Sequence, residues 1–568
     1  WFSDLVNGEL IKEDGFECVR ISNSIGIMVA DYEMLEQRIV NDTREKGHYI
    51  LPLSISRCYA KVENGDYSAG GQHWPCILVF DKRVNAEYIS DNLGVASDLR
   101  KFYSYQSLNH AIQKYRNIYY DPNSQEPLLN NSIFIILAVK RPQQVIGNFG
   151  RFEFLTFCME FDFSQNPHID NCKIKNMSAL QSLNCKITER LSGTQFEKED
   201  IIVWGCGALG SKVSMELARM GYLSQTLYDN DILMPHNLVR HEIASEYAIG
   251  LNKAKALEIE IKSMYGDDIK VSGVDNNSFS CENMLNNGIL IDCTASERNL
   301  NWSCMNNDIK NRFVRCEIFM EGKLGAVFIE GKNRNPDAYD MRVDLWHRAV
   351  DNEVIKNWLS QDTEENMEFH IGFGCSSDTV VLDDATISNH ASIIPHCINK
   401  YSQLDGGTLI INYFNKDALE NNFIKVFTIG KYTSWKSEEG WTIHCPSKMI
   451  EWLNRISYER TENMGIWFGH INERLKRFTI VDTYIPEDNK RSGGNVTGGK
   501  QGVAEKIKQI KGSTGGMIDY IGEWHTHPNG SIMPSETDYK AFEMVGKGNR
   551  PFLMSIIAHN NIGNWVLQ

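Results

Sequence analysis

Short apolar runs separated by amphipathic stretches set the pattern of the first 195 residues. Cys76-Ile-Leu-Val-Phe80, Ile133 to Val139 and Phe152-Glu-Phe-Leu-Thr-Phe157 are examples. A continuous apolar run of this length predicts a strand covered on both faces, and the amphipathic stretches predict the covering helices. The segment reads as a mixed α/β domain. Its cysteines at 18, 58, 76, 158, 172 and 185 have no ligand-type neighbours, so they are expected to be small buried residues.

Near residue 200 the pattern changes. Ile201-Ile-Val-Trp204 predicts a short strand, followed by a glycine turn and helical spacing from Ser211 to Met220. Gln225 to Asp229 and Ile289-Leu-Ile-Asp292 predict further strands that run straight into loops. Strands alternating with helices in this way imply a doubly wound parallel sheet. The polar stretch Lys431 to Gly440 marks an expected boundary. Beyond it the spacing predicts a helix over Lys448–Ser457 and strands over Gly465–His470 and Phe478–Tyr484. A Gly-rich polar loop (Asp488–Gly502), a short helix near Ala504–Ile510 and a strand entering Glu523-Trp-His-Thr-His-Pro528 follow. Three domains are expected, over 1–195, 196–430 and 431–568.

Charge narrows the partners. With 73 acidic against 58 basic residues the formal charge is -15, which argues against nucleic acid and anionic membranes. The longest apolar run is far short of the roughly 18 residues a membrane span needs. The 14 cysteines include no C-x-x-C pair, which disfavours a structural zinc ribbon and a thioredoxin-type site and suits a reducing cytoplasm. The chain begins with Trp1, which suggests a piece of a longer protein.

The sharpest chemical signal is His525-x-His527-x7-Ser535-x2-Asp538. Residues i and i+2 of a strand share a face, so the two imidazoles can aim at one ion, and Asp538 can return as a third ligand. Two nitrogens and one carboxylate leave a zinc position for water, as in catalytic sites. The spacing resembles the JAB/JAMM metalloprotease signature, and Glu462-Asn-Met-Gly465-Ile466-Trp-Phe-Gly469 resembles that family's E-x-x-G-I-x-x-G run. The resemblance implies an α+β domain in which His525, His527 and Asp538 hold Zn2+. It also implies that Glu462 is the general base and that Ser535 stabilises the oxyanion. Such enzymes cut after the C-terminal glycine of ubiquitin-like proteins.

Gly205-Cys-Gly207-Ala-Leu-Gly210 is a G-x-G-x-x-G between a strand and a helix, with Asp229 about 20 residues on. Glycines there admit a phosphate to the helix N-terminus, and the acidic residue suits a ribose hydroxyl. The block Asp229-Asn-Asp231-Ile-Leu-Met-Pro-His-Asn237-Leu-Val-Arg240 and the run Gly250-Leu-Asn-Lys253 are similar to ThiF/MoeB-type adenylating enzymes, the relatives of ubiquitin-activating enzymes. The resemblance implies a Rossmann-like domain that binds ATP and Mg2+. It assigns Asp229 to ribose, and Asn237, Arg240 and Lys253 to phosphates. The family's D-C-T-D reads Asp292-Cys-Thr-Ala295 here, so Asp292 is the remaining candidate for the magnesium ligand. Cys375, in Phe373-Gly-Cys-Ser-Ser-Asp378 before a predicted helix over Asp384–Tyr401, is the candidate thioester cysteine; Cys293, Cys304, Cys316 and Cys397 are its alternatives. Cys206 is expected to be packed and inert.

Taken together, the two resemblances imply a bifunctional enzyme acting on a ubiquitin-like modifier: adenylation and thioester capture of its C-terminal glycine, and zinc-dependent trimming or removal. They also imply a conjugation target and a homodimer. Similar bacterial proteins carry a conjugating domain ahead of the activating one, which makes residues 1–195 an expected linker domain, and they suggest anti-phage defence. Alternatives are a sulfur-carrier activating enzyme and a binding scaffold with an inactive adenylation domain.

Overall fold

The structure is a computed structural model that describes residues 26–53, 58–62, 65–69, 74–87, 89, 93–123, 131–145, 150–194, 198–265, 269–275, 288–306, 308–360, 368–370, 378–380, 382–488, 490–492, 495–497, 501–545 and 550–567. These fall into two compact units, the first essentially up to Thr188 and the second from Glu189 onward.

The first unit runs β1 (Gly26–Ala30), α1 (Tyr32–Asn41), β2 (Lys46–Leu53), β3 (Cys58–Val62), β4 (Gly65–Ala69), β5 (Trp74–Asp81), α2 (Tyr105–Tyr119), β6 (Ser132–Lys140), β7 (Phe152–Glu160) and β8 (Ile174–Gln181). One mixed sheet results, in the order β2-β5-β6-β7-β8-β1-β3-β4. The run Ile133 to Val139 forms most of β6, buried throughout because both faces are covered. Phe134, Ile136 and Ala138 pack with Leu35 and Ile39 of α1, whereas Ile133, Ile135 and Leu137 pack with Leu108, Ile112 and Tyr115 of α2. Strand alternation thus feeds two cores from one apolar run.

The second unit begins after α3 (Cys185–Ser192) with β9 (Ile201–Trp204), α4 (Ala208–Arg219), β10 (Ser224–Asp229), α5 (Lys253–Tyr265), β11 (Lys270–Asp275), β12 (Ile289–Asp292), α6 (Glu297–Met305) and β13 (Arg312–Phe319). It continues with β14 (Leu324–Ile329), α7 (Ala338–His347), α8 (Glu353–Ser360), the short pair β15 (Glu368–His370) and β16 (Asp378–Val380), α9 (Asp384–Tyr401), β17 (Gly407–Tyr413) and β18 (Phe423–Ile429). The sheet order is β11-β10-β9-β12-β13-β14-β17-β18. Its first five strands are parallel and its last three antiparallel. The order reverses at β9, which opens a crevice over the ends of β9, β10 and β12.

The last segment holds β19 (Tyr432–Lys436), β20 (Thr442–Pro446), α10 (Ser447–Ile456), β21 (Met464–Asn472), β22 (Arg477–Tyr484), the pair β23 (Lys490–Ser492) and β24 (Asn495–Thr497), α11 (Val503–Ser513), β25 (Asp519–Thr526), α12 (Glu536–Val545), β26 (Phe552–Ala558) and β27 (Asn561–Leu567). Its sheet order is β19-β20-β22-β21-β25-β26-β27.

The polar stretch at 431–440 holds an edge strand and its turn. β18 ends at Ile429 and β19 starts at Tyr432; the stretch is polar because β19 is an edge strand with only one buried side chain, Tyr432. The Asn335 amide clamps the Tyr432 backbone, accepting from its N–H at 2.7 Å and donating to its carbonyl at 2.8 Å. A single hydrophobic core crosses this point: Leu290, Phe313, Phe328 and α7 pack in one cluster with Ile466 and Phe468 of β21, Ile510 of α11 and Ile518. Beside it lies a buried ion group. Arg477 of β22, 4% exposed, makes a two-pronged contact with Asp337 at 2.7 and 3.0 Å, bonds Asp340 of α7, and meets His444 of β20 at 2.9 Å. Among the described residues no helix is long and apolar enough to cross a membrane.

Candidate nucleotide cavity and candidate metal centre

The crevice at the strand-order reversal is a cavity of about 720 Å³. Gly205, Gly207, Asp229, Asp231, Lys253, Thr294, Ser296, Asn299 and two tryptophans are among its lining residues. Each glycine of the motif has its own reason. Gly205 turns the chain at φ +89°, a Cβ on Gly207 would point into open space, and a Cβ on Gly210 would lie 1.9 Å from the Gly205 carbonyl oxygen. The first makes the turn, the second leaves room for a ligand, and the third lets α4 sit against β9. Asp229, at the end of β10, accepts from the Cys206 N–H at 2.7 Å and from the Asp231 N–H at 2.8 Å. Burial raises its pKa.

Lys253 starts α5 and reaches Asp231 at 3.0 Å. Arg240 and Asn237 do not line the cavity. Asn237 accepts from the Met234 N–H at 2.9 Å and so shapes the turn that carries His236. Burial lowers the pKa of His236, and the charges of Arg240 and Lys253 lower it further. Arg240 and Lys253 therefore both lie within electrostatic reach of His236.

Asp292 lies below the cavity, fully buried. Its carboxylate bonds Arg315 and accepts from Thr294 N–H and O–H at 2.9 and 2.6 Å. Thr294 Oγ1 in turn accepts from the Asn299 amide at 3.0 Å. Ala295, where the family carries its second aspartate, stands in the left-handed region at φ +53°. Cys375 lies outside the described residues. Among its alternatives, burial pushes the thiols of Cys304 and Cys397 up, that of Cys397 to about 11. Cys316 is raised by its contact with Cys293 and by burial. Cys293 lines the cavity. Cys206 is fully buried.

At the second centre, β25 carries His525, His527 follows directly after its end with its N–H on the Ile557 carbonyl at 2.9 Å, and α12 returns Asp538 to them. His525 Nε2 and His527 Nε2 are 3.1 Å apart, and the Asp538 oxygens lie 3.5 and 3.6 Å from them. Atoms on one face of a tetrahedron with bonds of 2.0–2.1 Å are roughly 3.3 Å apart, so the set fits zinc with a fourth position open. His527 Nδ1 meets the Ser531 carbonyl at 2.8 Å, which leaves Nε2 for a metal. Hydrogen bonding to Asp538 raises the His527 pKa, helped by the charges of Asp538 and Glu462. Burial works against it, yet the bonds from His525, His527 and Ser535 hold Asp538 well below the usual carboxylate range.

Ser535 is the N-cap of α12: its Oγ accepts from the Asp538 N–H at 3.2 Å, while Asp538 accepts from the Ser535 N–H at 2.6 Å. This reciprocal cap aims Asp538 at the histidines. Glu462 precedes β21. Register pairs Met464 with His525, and Asn463 and Thr526 exchange bonds at 2.8 Å, which brings Glu462 opposite His527. A second group of metal-type side chains, Asp337, Asp340 and His444, is filled by the Arg477 guanidinium.

Sequence reading missed Trp204, Arg298, Asn299 and Trp302, all lining the nucleotide cavity. Their one available signal was position, at the end of β9 and on the helix after β12, where a doubly wound sheet places ligand contacts.

Residues 183–305 match the ThiF family, and residues 457–568 match the prokaryotic homologs of the JAB domain. A CD-NTase/cGAS isopeptidase of Escherichia coli (strain TW11681) is 31% identical over 126 residues, which cover 21% of this chain and 77% of that protein. The ATP-dependent ubiquitin transferase-like protein Cap2 of Enterobacter hormaechei subsp. hoffmannii (strain UCI 50) is 29% identical over 116 residues, covering 19% of this chain and 18% of that protein. The chain thus spans under a fifth of the Enterobacter protein. Among solved structures, E. coli MccB with ATP matches at 17% identity and TM-score 0.28, over 41% of this chain and 64% of that one. The chain belongs to the prokaryotic JAB-domain isopeptidase family through its C-terminal segment and carries a ThiF-family adenylating domain ahead of it, in one fused enzyme.

Proposed function

We propose that the chain acts twice on one substrate, a ubiquitin-like protein. The observation that carries this reading is a nucleotide-sized cavity at the strand-order reversal and a zinc-fitting triad within one compact unit. In the first reaction a carboxylate oxygen of the C-terminal glycine attacks the α-phosphorus of ATP. A P–O bond forms and pyrophosphate leaves. The α4 N-terminus, Lys253 and Arg240 offset charge on the phosphates, and Asp229 holds the ribose. Asn237 supports the turn that ends at Arg240. The Cys375 thiolate then attacks the acyl carbon and AMP leaves, giving a thioester for transfer to a target protein. Cys293 is the alternative thiol.

The donor set after β12 does not fit a protein-held magnesium ion. Ala295 offers no side-chain oxygen, and Asp292 is engaged by Arg315 and Thr294. Asp292 instead sets the loop that floors the cavity, and Mg2+ is brought as part of the nucleotide complex.

In the second reaction the substrate is an amide after the same glycine. His525, His527 and Asp538 hold the zinc, which when bound acidifies a water and polarises the scissile carbonyl. Glu462 takes the proton from the attacking water and returns it to the leaving amine. Ser535 holds Asp538 in place, and its hydroxyl hydrogen remains available to the oxyanion. Residues 196–430 and 431–568 serve as the two functional parts, and residues 1–195 as a linker domain. A homodimer, a cytoplasmic setting and a role in defence complete the proposal.

The test is co-expression with candidate ubiquitin-like proteins in a Glu462→Ala background, with and without Cys375→Ala. A thiol-labile adduct lost in the Cys375 variant is expected. Nucleotide binding without pyrophosphate release would refute the adenylation half and favour the scaffold reading, for which the absent second aspartate at Ala295 is the supporting observation.

A further inference from the structure

His241 directly follows Arg240 and lies against the glycine loop, 5% exposed. Its ring is held on both sides. The Ile243 N–H donates to Nδ1 at 3.1 Å, and Nε2 lies 2.8 Å from the Cys206 carbonyl oxygen. Burial, with the charges of Lys253 and Lys212, holds the pKa down to about 4 although the Cys206 bond raises it, so the imidazole is neutral. A neutral ring that accepts at Nδ1 carries its one hydrogen on Nε2. His241 is therefore a donor to Cys206. The next residue ties the segment to α4, since the Glu242 N–H donates to Ser211 Oγ at 3.1 Å.

The Cys206–Gly207 peptide is trans, so its carbonyl and its N–H point opposite ways. The carbonyl is turned to the buried His241, which turns the Gly207 N–H toward the cavity that Gly207 lines. That N–H makes no hydrogen bond with any described residue, and a Cβ on Gly207 would meet nothing within 4 Å. Asp229 fixes the other end of Cys206, accepting from its N–H at 2.7 Å. A peptide ahead of a glycine is otherwise free to rotate, because glycine tolerates either sign of φ. Rotated by half a turn, this one would present a carbonyl oxygen to an anion.

We infer that His241 is a positioning residue of the nucleotide site: by holding the Cys206 carbonyl it keeps the Gly207 N–H aimed at the phosphates of the bound nucleotide. The inference rests on the adenylation reading for the identity of that nucleotide, and binding alone tests it. Kd is measured by calorimetry for ATP and, by competition with ATP, for adenosine, which lacks the phosphates. His241→Phe keeps a ring but has no donor. It is expected to weaken ATP at least about tenfold, the scale of one hydrogen bond to a charged group, and adenosine by less than about twofold. His241→Gln, whose amide can donate, should keep ATP within about threefold of the wild type. Gly207→Pro removes the N–H at a residue whose φ of -75° suits proline. It should weaken ATP as His241→Phe does, and adding His241→Phe to it should change nothing further. Where His241→Phe does not fold, Gly207→Pro and His241→Gln carry the test. Equal weakening of ATP and adenosine by His241→Phe overturns the inference, because it marks a merely structural residue. So does a His241→Gln as weak as His241→Phe, a Gly207→Pro with wild-type affinity for ATP, or full additivity in the double variant. No ATP binding by the wild type overturns the adenylation reading as well, whereas a normal ATP affinity with no effect of these substitutions overturns the inference alone.

Discussion

Replacing Arg477 with methionine removes the cation from a buried acidic group while keeping most of the side-chain volume. Arg477 satisfies both oxygens of Asp337, one of Asp340, the Nδ1 of His444 and, through Nε at 3.2 Å, the hydroxyl of Thr479. Asp337 and Asp340 are 8% and 1% exposed. Without the guanidinium their charges have no solvent to turn to, and breaking a buried pair from one side destabilises by about 3–5 kcal/mol. Removing the acids as well relieves most of that penalty, because a neutral group of similar shape is nearly isoenergetic with the ion group. The expected order of stability is therefore wild type, then Asp337→Asn/Asp340→Asn/Arg477→Met close below it, then Arg477→Met alone far below. Tryptophan fluorescence during denaturant unfolding reads this directly. Only Trp1 and Trp74 of the 12 tryptophans precede residue 189, so the signal belongs almost wholly to the second unit. A loss under about 1 kcal/mol for Arg477→Met, or an equal loss in the background lacking both acids, would refute the argument.

Four further outcomes are expected. Elemental analysis should find one zinc per chain, lost in His527→Ala and Asp538→Ala but kept in Asp337→Asn/Asp340→Asn; at free zinc 100-fold above its Kd the wild type should gain about 2.7 kcal/mol. Gly210→Ala should abolish ATP binding in calorimetry, since its Cβ would meet the Gly205 carbonyl oxygen at 1.9 Å. Ala295→Gly should raise unfolding stability by about 0.5 kcal/mol, because relief of the left-handed backbone exceeds the extra chain entropy of glycine. Burial and the nearby Glu242 push Glu216 up to about 7 from 4.5. The folded chain thus holds a proton there that the unfolded chain has released, and stability falls as pH rises through that window. Glu216→Gln should remove this fall and be more stable above pH 7, by on the order of 1 kcal/mol.

The parts legible in the sequence were those whose chemistry needs fixed spacing. The pair His525/His527 shows because strand alternation fixes i and i+2, and the glycine motif shows because each glycine answers a separate backbone demand. Ile133 to Val139 was readable because a strand buried on both faces leaves no polar position. Asp292 was not readable: a carboxylate at a strand end looks like a ligand until Arg315, 23 residues later, is found beneath it on the neighbouring strand. Ser535 read as an oxyanion donor, while its cap on Asp538 depends on where α12 begins. The polar run at 431–440 was read as a boundary because an edge strand buries too little to show an apolar pattern. Trp302 carried no signal, since one aromatic residue on a short helix reads as core.

The core shared by Phe313, Phe328, Ile466 and Phe468 has a consequence for cellular dosage. Separate enzymes for attaching and detaching a tag can be made in different amounts, and their balance shifts when one is produced or degraded faster. Here neither part can be shed without baring the apolar face of the other. On the proposed function, each chain made delivers the cavity and the His/His/Asp centre together, so their ratio is fixed by translation, and occupancy by ligand, metal or substrate tilts the balance between them.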